Sequence, residues 1–269
     1  MNVDNTKEFR CISFCTGYAG IELGLREVVP NLRTVAYVEI EAFAAANLVA
    51  KIEEGRLDAA PIWTDIKTFD GEPFRDRVHL ITGGYPCQPF SCAGKRQGEA
   101  DPRHLWPYIE RIIEAIKPLF CFFENVSGHL TIGFSDVYRS LRNLGYSVEA
   151  GLFTAEECGL DTESERLFML ASSVRNGCEY VSSKKSGEVI RGGEVFSQGR
   201  GQRPAKRLGS SFFTGESTER KSKTGICGNV DESAWQVDRL RLLGNGVVPQ
   251  CAAKAWVELV KYFKQSLNW

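Results

Sequence analysis

Residues 11–29 read CISFCTGYAGIELGLREVV, and the fold class turns on them. The first part is a short apolar run that stops at Gly17, and the second, from Ala19, repeats apolar residues at helical spacing. That predicts a strand, a glycine turn and a helix in immediate succession. The unit repeats: TVAYVEI (34–40) reads as a second strand and EAFAAANLVAKIEEG (41–55) as a helix closed by a glycine. VHLITGG (78–84) and LFCFFENV (119–126) read as further buried strands, with a helix around LWPYIERIIEAIK (105–117) between them. A helix near FSDVYRSLRNLG (134–145) and two strands, SVEAGLFTA (147–155) and RLFMLASS (166–173), follow. Such alternation predicts an α/β fold, doubly wound, with a mostly parallel sheet covered by helices on both faces. Ligands then belong at the carboxyl ends of the strands.

The pattern stops near residue 174. Residues 175–234 hold 10 glycines and 9 serines, show no periodicity, and carry 11 Lys or Arg against 7 Asp or Glu. Composition alone fits a solvated insertion as well as a small folded module. Apolar order returns in WQVDRLRLLGNGVVPQ (235–250), and AAKAWVELVKYFKQSL (252–267) has the spacing of a helix that packs on a core. The expected organisation is therefore a first domain over 1–174, an irregular region over 175–234, and a segment over 235–269 that returns to the first domain.

Composition bounds the rest. With 269 residues, 43% of them hydrophobic, the chain can bury a substantial core. The 33 Lys and Arg nearly balance 34 Asp and Glu, so any basic surface must be local. No apolar stretch of about 18 residues occurs, and the first residues lack the apolar core of a secretion signal, which predicts a cytoplasmic protein without a membrane partner. Nine cysteines suit reduced thiols. Cys11 with Cys15, and Cys87 with Cys92, lack metal-ligand spacing, so no metal site is predicted.

Glycines at 17 and 20 after the first strand let backbone approach a ligand, and Glu39, at the tip of the second strand, can accept both hydrogen bonds of a ribose diol. A GxGxxG dehydrogenase fingerprint is incomplete. Asp65 suits either the exocyclic amine of an adenine or the cap of a helix. The second feature is GGYPCQPFS (83–91), in which flanking prolines stiffen a loop and present the Cys87 thiol in a fixed direction. The third is Glu124, which leaves a buried strand, where desolvation would raise its pKa enough for it to donate a proton at neutral pH. A strand-end carboxylate is ordinarily a structural acceptor and a cysteine ordinarily inert core. Their joint placement after adjacent strands points instead to a thiol and a carboxyl facing one cleft.

PCQPFS (86–91), FENV (123–126) and GNGVVPQ (244–250), in that order, resemble the cytosine-5 DNA methyltransferases, and the resemblance covers the chain outside 175–234. It implies a Rossmann-like fold that uses S-adenosylmethionine, with a small target-recognition region over 175–234. It also implies cofactor contacts from Cys15, Thr16, Gly17, Gly20, Glu39, Ile40, Asp65, Ile66, Asn245 and Gly246. Catalytic roles fall to Cys87 as nucleophile, Glu124 as the acid on the base, and Arg166, which is expected to contact the flipped base. Pro86, Gln88, Ser91 and Asn125 are implied around the substrate. The implied partner is double-stranded DNA, with room for a cognate restriction endonuclease acting separately, and the expected working unit is a monomer.

Carbon 5 of cytosine is a poor nucleophile until a thiolate adds at carbon 6, which accounts for a cysteine held beside an acid. The target must leave the duplex, so SCAGKRQGEADPR (91–103) is expected to close over it, hinging at Gly94 and Gly98, with Lys95, Arg96 and Arg103 near phosphates. GRGQRPAKR (199–207), the densest basic stretch, is the expected backbone contact. Two details depart from the family pattern: Ala19 stands for a glycine of the cofactor turn, and Thr162 and Ser164 replace two residues of the Gln-x-Arg-x-Arg pattern, leaving Arg166. Transfer RNA as substrate, and a catalytically silent nucleic-acid-binding protein, are the competing readings.

Overall fold

The computed structural model describes residues 8–86, 105–131, 133–158, 165–173, 189–191 and 246–267, with the backbone alone described for 189–191 and 264–267. Its centre is an eight-stranded sheet: β1 (Phe9–Phe14), β2 (Leu32–Val38), β3 (Ile62–Trp63), β4 (Leu80–Gly83), β5 (Phe120–Val126), β6 (Ser147–Thr154), β7 (Glu165–Ser172) and β8 (Val189–Arg191). The spatial order is β3-β2-β1-β4-β5-β7-β6-β8. The pairs β1–β2, β1–β4, β2–β3, β4–β5 and β6–β8 are parallel, and β7 runs against both of its neighbours. The mostly parallel, doubly wound sheet expected from the alternation is therefore present.

Among the described residues the helices are α1 (Gly20–Val28), α2 (Ala42–Glu53), α3 (Trp106–Ile116), α4 (Phe134–Asn143) and α5 (Pro249–Leu267). Side chains alternate across each strand, so FCFFENV sends Cys121 and Phe123 to one face and Phe120 and Phe122 to the other. All four are buried, which is why this strand reads as an unbroken apolar run. On the first face Ile109, Ile112 and Ile113 of α3 and Val137 and Leu141 of α4 close over Ile12, Phe14 and Ile81. On the second, Ile21 and Leu25 of α1 and Ala255, Trp256 and Leu259 of α5 cover Leu80, Phe122 and Phe168.

Two elements differ from expectation. β8 lies inside the 175–234 region and extends the sheet alongside β6, a strand too short for any periodicity to betray. α5 begins at Pro249, before the apolar repeat starts. Proline is preorganised for a first helical position, where no intrahelical N–H partner exists.

Candidate active site

The turn after β1 is unusually constrained: Cys15, Gly17 and Ala19 have φ of 48°, 56° and 67°, left-handed values that glycine alone adopts without cost. The turn is held from beside β2. Glu39 accepts from the Gly17 N–H at 2.7 Å through Oε2 and from the Glu41 N–H at 2.8 Å through Oε1. Each carboxylate oxygen retains acceptor capacity beyond these bonds. Thr16 closes the turn from within, accepting from Ser13 Oγ at 2.9 Å. Burial, and secondarily the Glu39 charge, push the Cys15 thiol up to about 12, so it stays protonated. Above Gly17 there is open space.

Next to the turn, Ile40 is 70% exposed and Trp63 47% exposed, both at strand ends, where burial would be the rule for side chains of this size. Of the two readings for Asp65, the cap is realised: its Oδ1 accepts from the Lys67 N–H at 2.9 Å and opens a short 3₁₀ turn, Ile66–Thr68. Ile66 itself is buried in the core, which leaves its main chain, not its side chain, on offer to a ligand.

β4 ends at Gly83, and a Cβ on Gly84 would stand 3.2 Å from Glu124 Oε2. The absent side chain is what lets the root of the thiol loop pass against the carboxyl. The root is fastened in two places. Asn125 Nδ2 donates to the Tyr85 carbonyl at 3.0 Å, and the Tyr85 hydroxyl meets His129 Nε2 at 3.0 Å. Pro86 is exposed. Asn125, expected near substrate, thus faces the loop's main chain, and its Oδ1 accepts from the Val126 N–H at 2.9 Å.

Glu124 is 7% exposed. Arg166 reaches it across the β5–β7 pair, with Nε 3.1 Å from Oε1. Burial raises the carboxyl and Arg166 lowers it again; the net result lies at about 7, so both protonation states are populated at neutral pH. Arg166 thereby holds the acid, a contact not anticipated from the sequence, which placed it on a base.

Three further residues were missed. Glu22 reads as an acid in the first turn of a helix, yet it is 1% exposed and accepts from Thr82 Oγ1 at 2.6 Å, and burial raises its pKa. Lys51 donates to the Tyr18 carbonyl at 2.5 Å, and burial lowers it to about 8. Tyr18 donates from its hydroxyl to the Val247 carbonyl. None of these contacts has a local sequence signal, because each partner lies on another element. The C-terminal segment is also brought in: an added Cβ at Gly84 would lie 4.0 Å from Val247 Cγ2, so the residue that follows Gly246 lies against the root of the thiol loop. Cys87, Gln88, Ser91, Asn245 and the basic stretch 199–207 lie outside the described residues, as does the metal-free expectation for Cys87 and Cys92. Among the described residues no cluster of His, Cys, Asp or Glu could hold a metal, and no helix is long and apolar enough to cross a membrane.

The chain is 32% identical over 168 residues to the Type II methyltransferase M.NgoMIV of Neisseria gonorrhoeae, an overlap that covers 61% of this chain and 52% of that protein. It is 31% identical over 176 residues to the Type II methyltransferase M.PspPI of Psychrobacter sp., covering 63% of this chain and 41% of that one. The chain spans about half the length of the curated relatives it matches. Among solved structures, DNMT2 of Spodoptera frugiperda superposes with a TM-score of 0.55 at 20% identity, over 68% of this chain and 55% of that one. The S. pombe Dnmt2 methyltransferase gives 0.52 at 22% identity, over 64% and 52%. At those identities the likeness is one of fold. Residues 9–195, the stretch that builds the turn, the thiol-loop root and the Glu124–Arg166 pair, match the family of C-5 cytosine-specific DNA methylases, and the chain belongs to that family.

Proposed function

We propose that the chain transfers a methyl group from S-adenosylmethionine to carbon 5 of cytosine in DNA. The observation that carries this is Glu124: a buried carboxyl poised at about 7, paired with Arg166 and lying against Gly84 at the root of the loop that bears Cys87.

The open end of the sheet fits the cofactor. Gly17, with open space where a Cβ would stand, leaves room for a ligand over the turn, Glu39 has acceptor capacity for a ribose diol, and Ile40 and Trp63 leave apolar surface uncovered for a purine. Cys15, Thr16, Gly20, the Asp65–Ile66 main chain, Asn245 and Gly246 complete the proposed set. When bound, S-adenosylmethionine supplies an electrophilic methyl group.

In the proposed mechanism the chain's own residues do the following. The Cys87 thiolate adds to carbon 6 of a cytosine turned out of the duplex, forming a C–S bond and moving electron density toward carbon 5 and ring nitrogen 3. Glu124 in its protonated form donates to nitrogen 3 and offsets the developing charge. Arg166 keeps the carboxyl oriented and, once Glu124 has given up its proton, balances its charge. Methylation at carbon 5 is followed by loss of the carbon 5 proton to a base and cleavage of the C–S bond, which frees the Cys87 thiolate, while Glu124 recovers its proton from nitrogen 3. Asn125 and the Tyr85–His129 pair fix the loop root, so the thiol approaches along one path. Residues 175–234 read the target sequence, with 199–207 on the phosphate backbone. Type II relatives suggest a restriction system with a separate endonuclease as the setting.

The test is covalent trapping on duplex DNA that carries 5-fluorocytosine, where fluorine blocks the last elimination. A denaturant-resistant adduct that needs S-adenosylmethionine and is absent from Cys87→Ser is expected. No adduct on DNA, with one on equally fluorinated transfer RNA, would overturn the substrate; none on either would overturn the chemistry.

A further inference from the structure

Tyr18 and Ala19 are the turn positions that the cofactor reading does not use, and of the two only Tyr18 has a side chain long enough to reach other elements. Its contacts run in three directions. The Lys51 ammonium donates to its carbonyl at 2.5 Å and stands 4.9 Å above its ring. Its hydroxyl donates to the Val247 carbonyl, a segment from the other end of the chain. Its phenol also lies within the fields of Glu124 and Arg166. The same carbonyl of Val247 lies 2.0 Å from where a Cβ on Gly20 would be, so this peptide is wedged between the first residue of α1 and the tyrosine hydroxyl.

Val247 is 7% exposed, and its carbonyl therefore depends on protein donors. It adjoins Gly246 on one side and, two residues on, the first turn of α5. A tyrosine fixed at its carbonyl end by Lys51 and at its hydroxyl by Val247 is a strut: the turn cannot rearrange without pulling on the C-terminal segment. Conversely, the segment cannot lift without freeing the turn.

We propose that Tyr18 is a positioning residue that couples the turn to the C-terminal segment, so that a ligand seated on the turn and the attachment of residues 246–267 strengthen one another. The coupling rests on the cofactor reading given above; the strut itself does not. Linkage makes the effect reciprocal: the factor by which S-adenosylmethionine shifts the closing equilibrium of α5 equals the factor by which a closed α5 tightens S-adenosylmethionine.

Tyr18→Phe keeps the ring and the Lys51 contact and removes the hydroxyl. It leaves the Val247 carbonyl without its donor, a loss of roughly tenfold in the closing equilibrium. Amide hydrogen exchange of α5 is measured in wild type and variant, with and without S-adenosylmethionine, beside calorimetric binding of S-adenosylmethionine. Without cofactor, exchange in the first turns of α5 is expected to be about tenfold faster in the variant. Cofactor is expected to slow exchange in wild type and to do so less in the variant, by about threefold or more, and to bind the variant more weakly by that same factor. In turnover, KM for S-adenosylmethionine rises while kcat at saturation stays within about twofold. Equal exchange in the two proteins overturns the strut. Faster exchange with equal affinity overturns the coupling and leaves a structural contact. Failure of wild type to bind S-adenosylmethionine overturns the cofactor reading and the coupling with it, while the exchange comparison still decides the strut.

Discussion

At the scale of the residue, Glu124 links stability to chemistry. Burial holds its proton to about 7, against an ordinary value of 4.5. The folded protein therefore binds that proton more tightly than the unfolded chain does. The resulting stabilisation is complete below about 4.5 and is lost as pH rises to about 7, a change of about 3 kcal/mol. Glu124→Gln keeps the shape without the titration. Denaturant unfolding across that range is expected to show wild type losing about 3 kcal/mol relative to the variant as pH rises, and parallel curves would place Glu124 in the ordinary carboxyl range. Arg166→Ala makes the complementary case. A neutral carboxyl tolerates loss of its partner, whereas a buried carboxylate does not, so the destabilisation should be small at pH 5 and greater by about 1.4 kcal/mol at pH 8, a rise capped by the carboxyl taking up a proton. Equal losses at both values would mean that Arg166 contributes packing and not charge.

At the scale of the element, α1 is shaped by what must lie against it. A Cβ on Gly24 would stand 2.1 Å from the Pro249 carbonyl oxygen, a main-chain atom that cannot rotate aside. Gly24→Ala, ordinarily favourable inside a helix, is expected to cost about 2 kcal/mol or more, whereas Gly128→Ala, with open space around it, should stay within about 0.5 kcal/mol. Urea midpoints of the two variants check this, and a neutral Gly24→Ala would mean that α1 and the start of α5 are not in contact. The sequence shows Gly24 as an unremarkable interior glycine, because the reason for it lies at the far end of the chain. Local pattern was enough for β1, the glycine turn, α1 and the unbroken run of β5, where period and composition agree. It was enough to single out Glu39, just past β2, and Glu124, although β5 runs two residues beyond Glu124 to Val126. It left Asp65 between two readings, and the cap it forms with Lys67 was one of them. It could not reveal Glu22 on Thr82, Lys51 on Tyr18, or Arg166 on Glu124, since a hydrogen bond between elements leaves no periodic trace.

At the scale of the whole molecule, the chain closes by returning its last helix to its first. Trp256 of α5 lies edge-on to Phe120 and Phe122, with ring centroids 5.9 and 5.4 Å away, on the strand that carries Glu124. The same helix buries Leu259 and Phe263, so one face of β5 has α5 as its cover. Trp256→Ala removes the centre of that contact and is expected to cost about 3–5 kcal/mol, a large part of the roughly 5–15 kcal/mol that holds a typical domain folded. A chain ending at residue 245 keeps α1 on that face but loses α5, which uncovers Phe120 and Phe122. It is expected to bind a hydrophobic dye, to lose its near-ultraviolet circular dichroism and to show no cooperative melting, while Trp256→Ala still melts cooperatively at a lower temperature. A truncated chain that melts at the wild-type temperature would show that the sheet is complete without α5, and that the return of the C-terminus serves the active site alone.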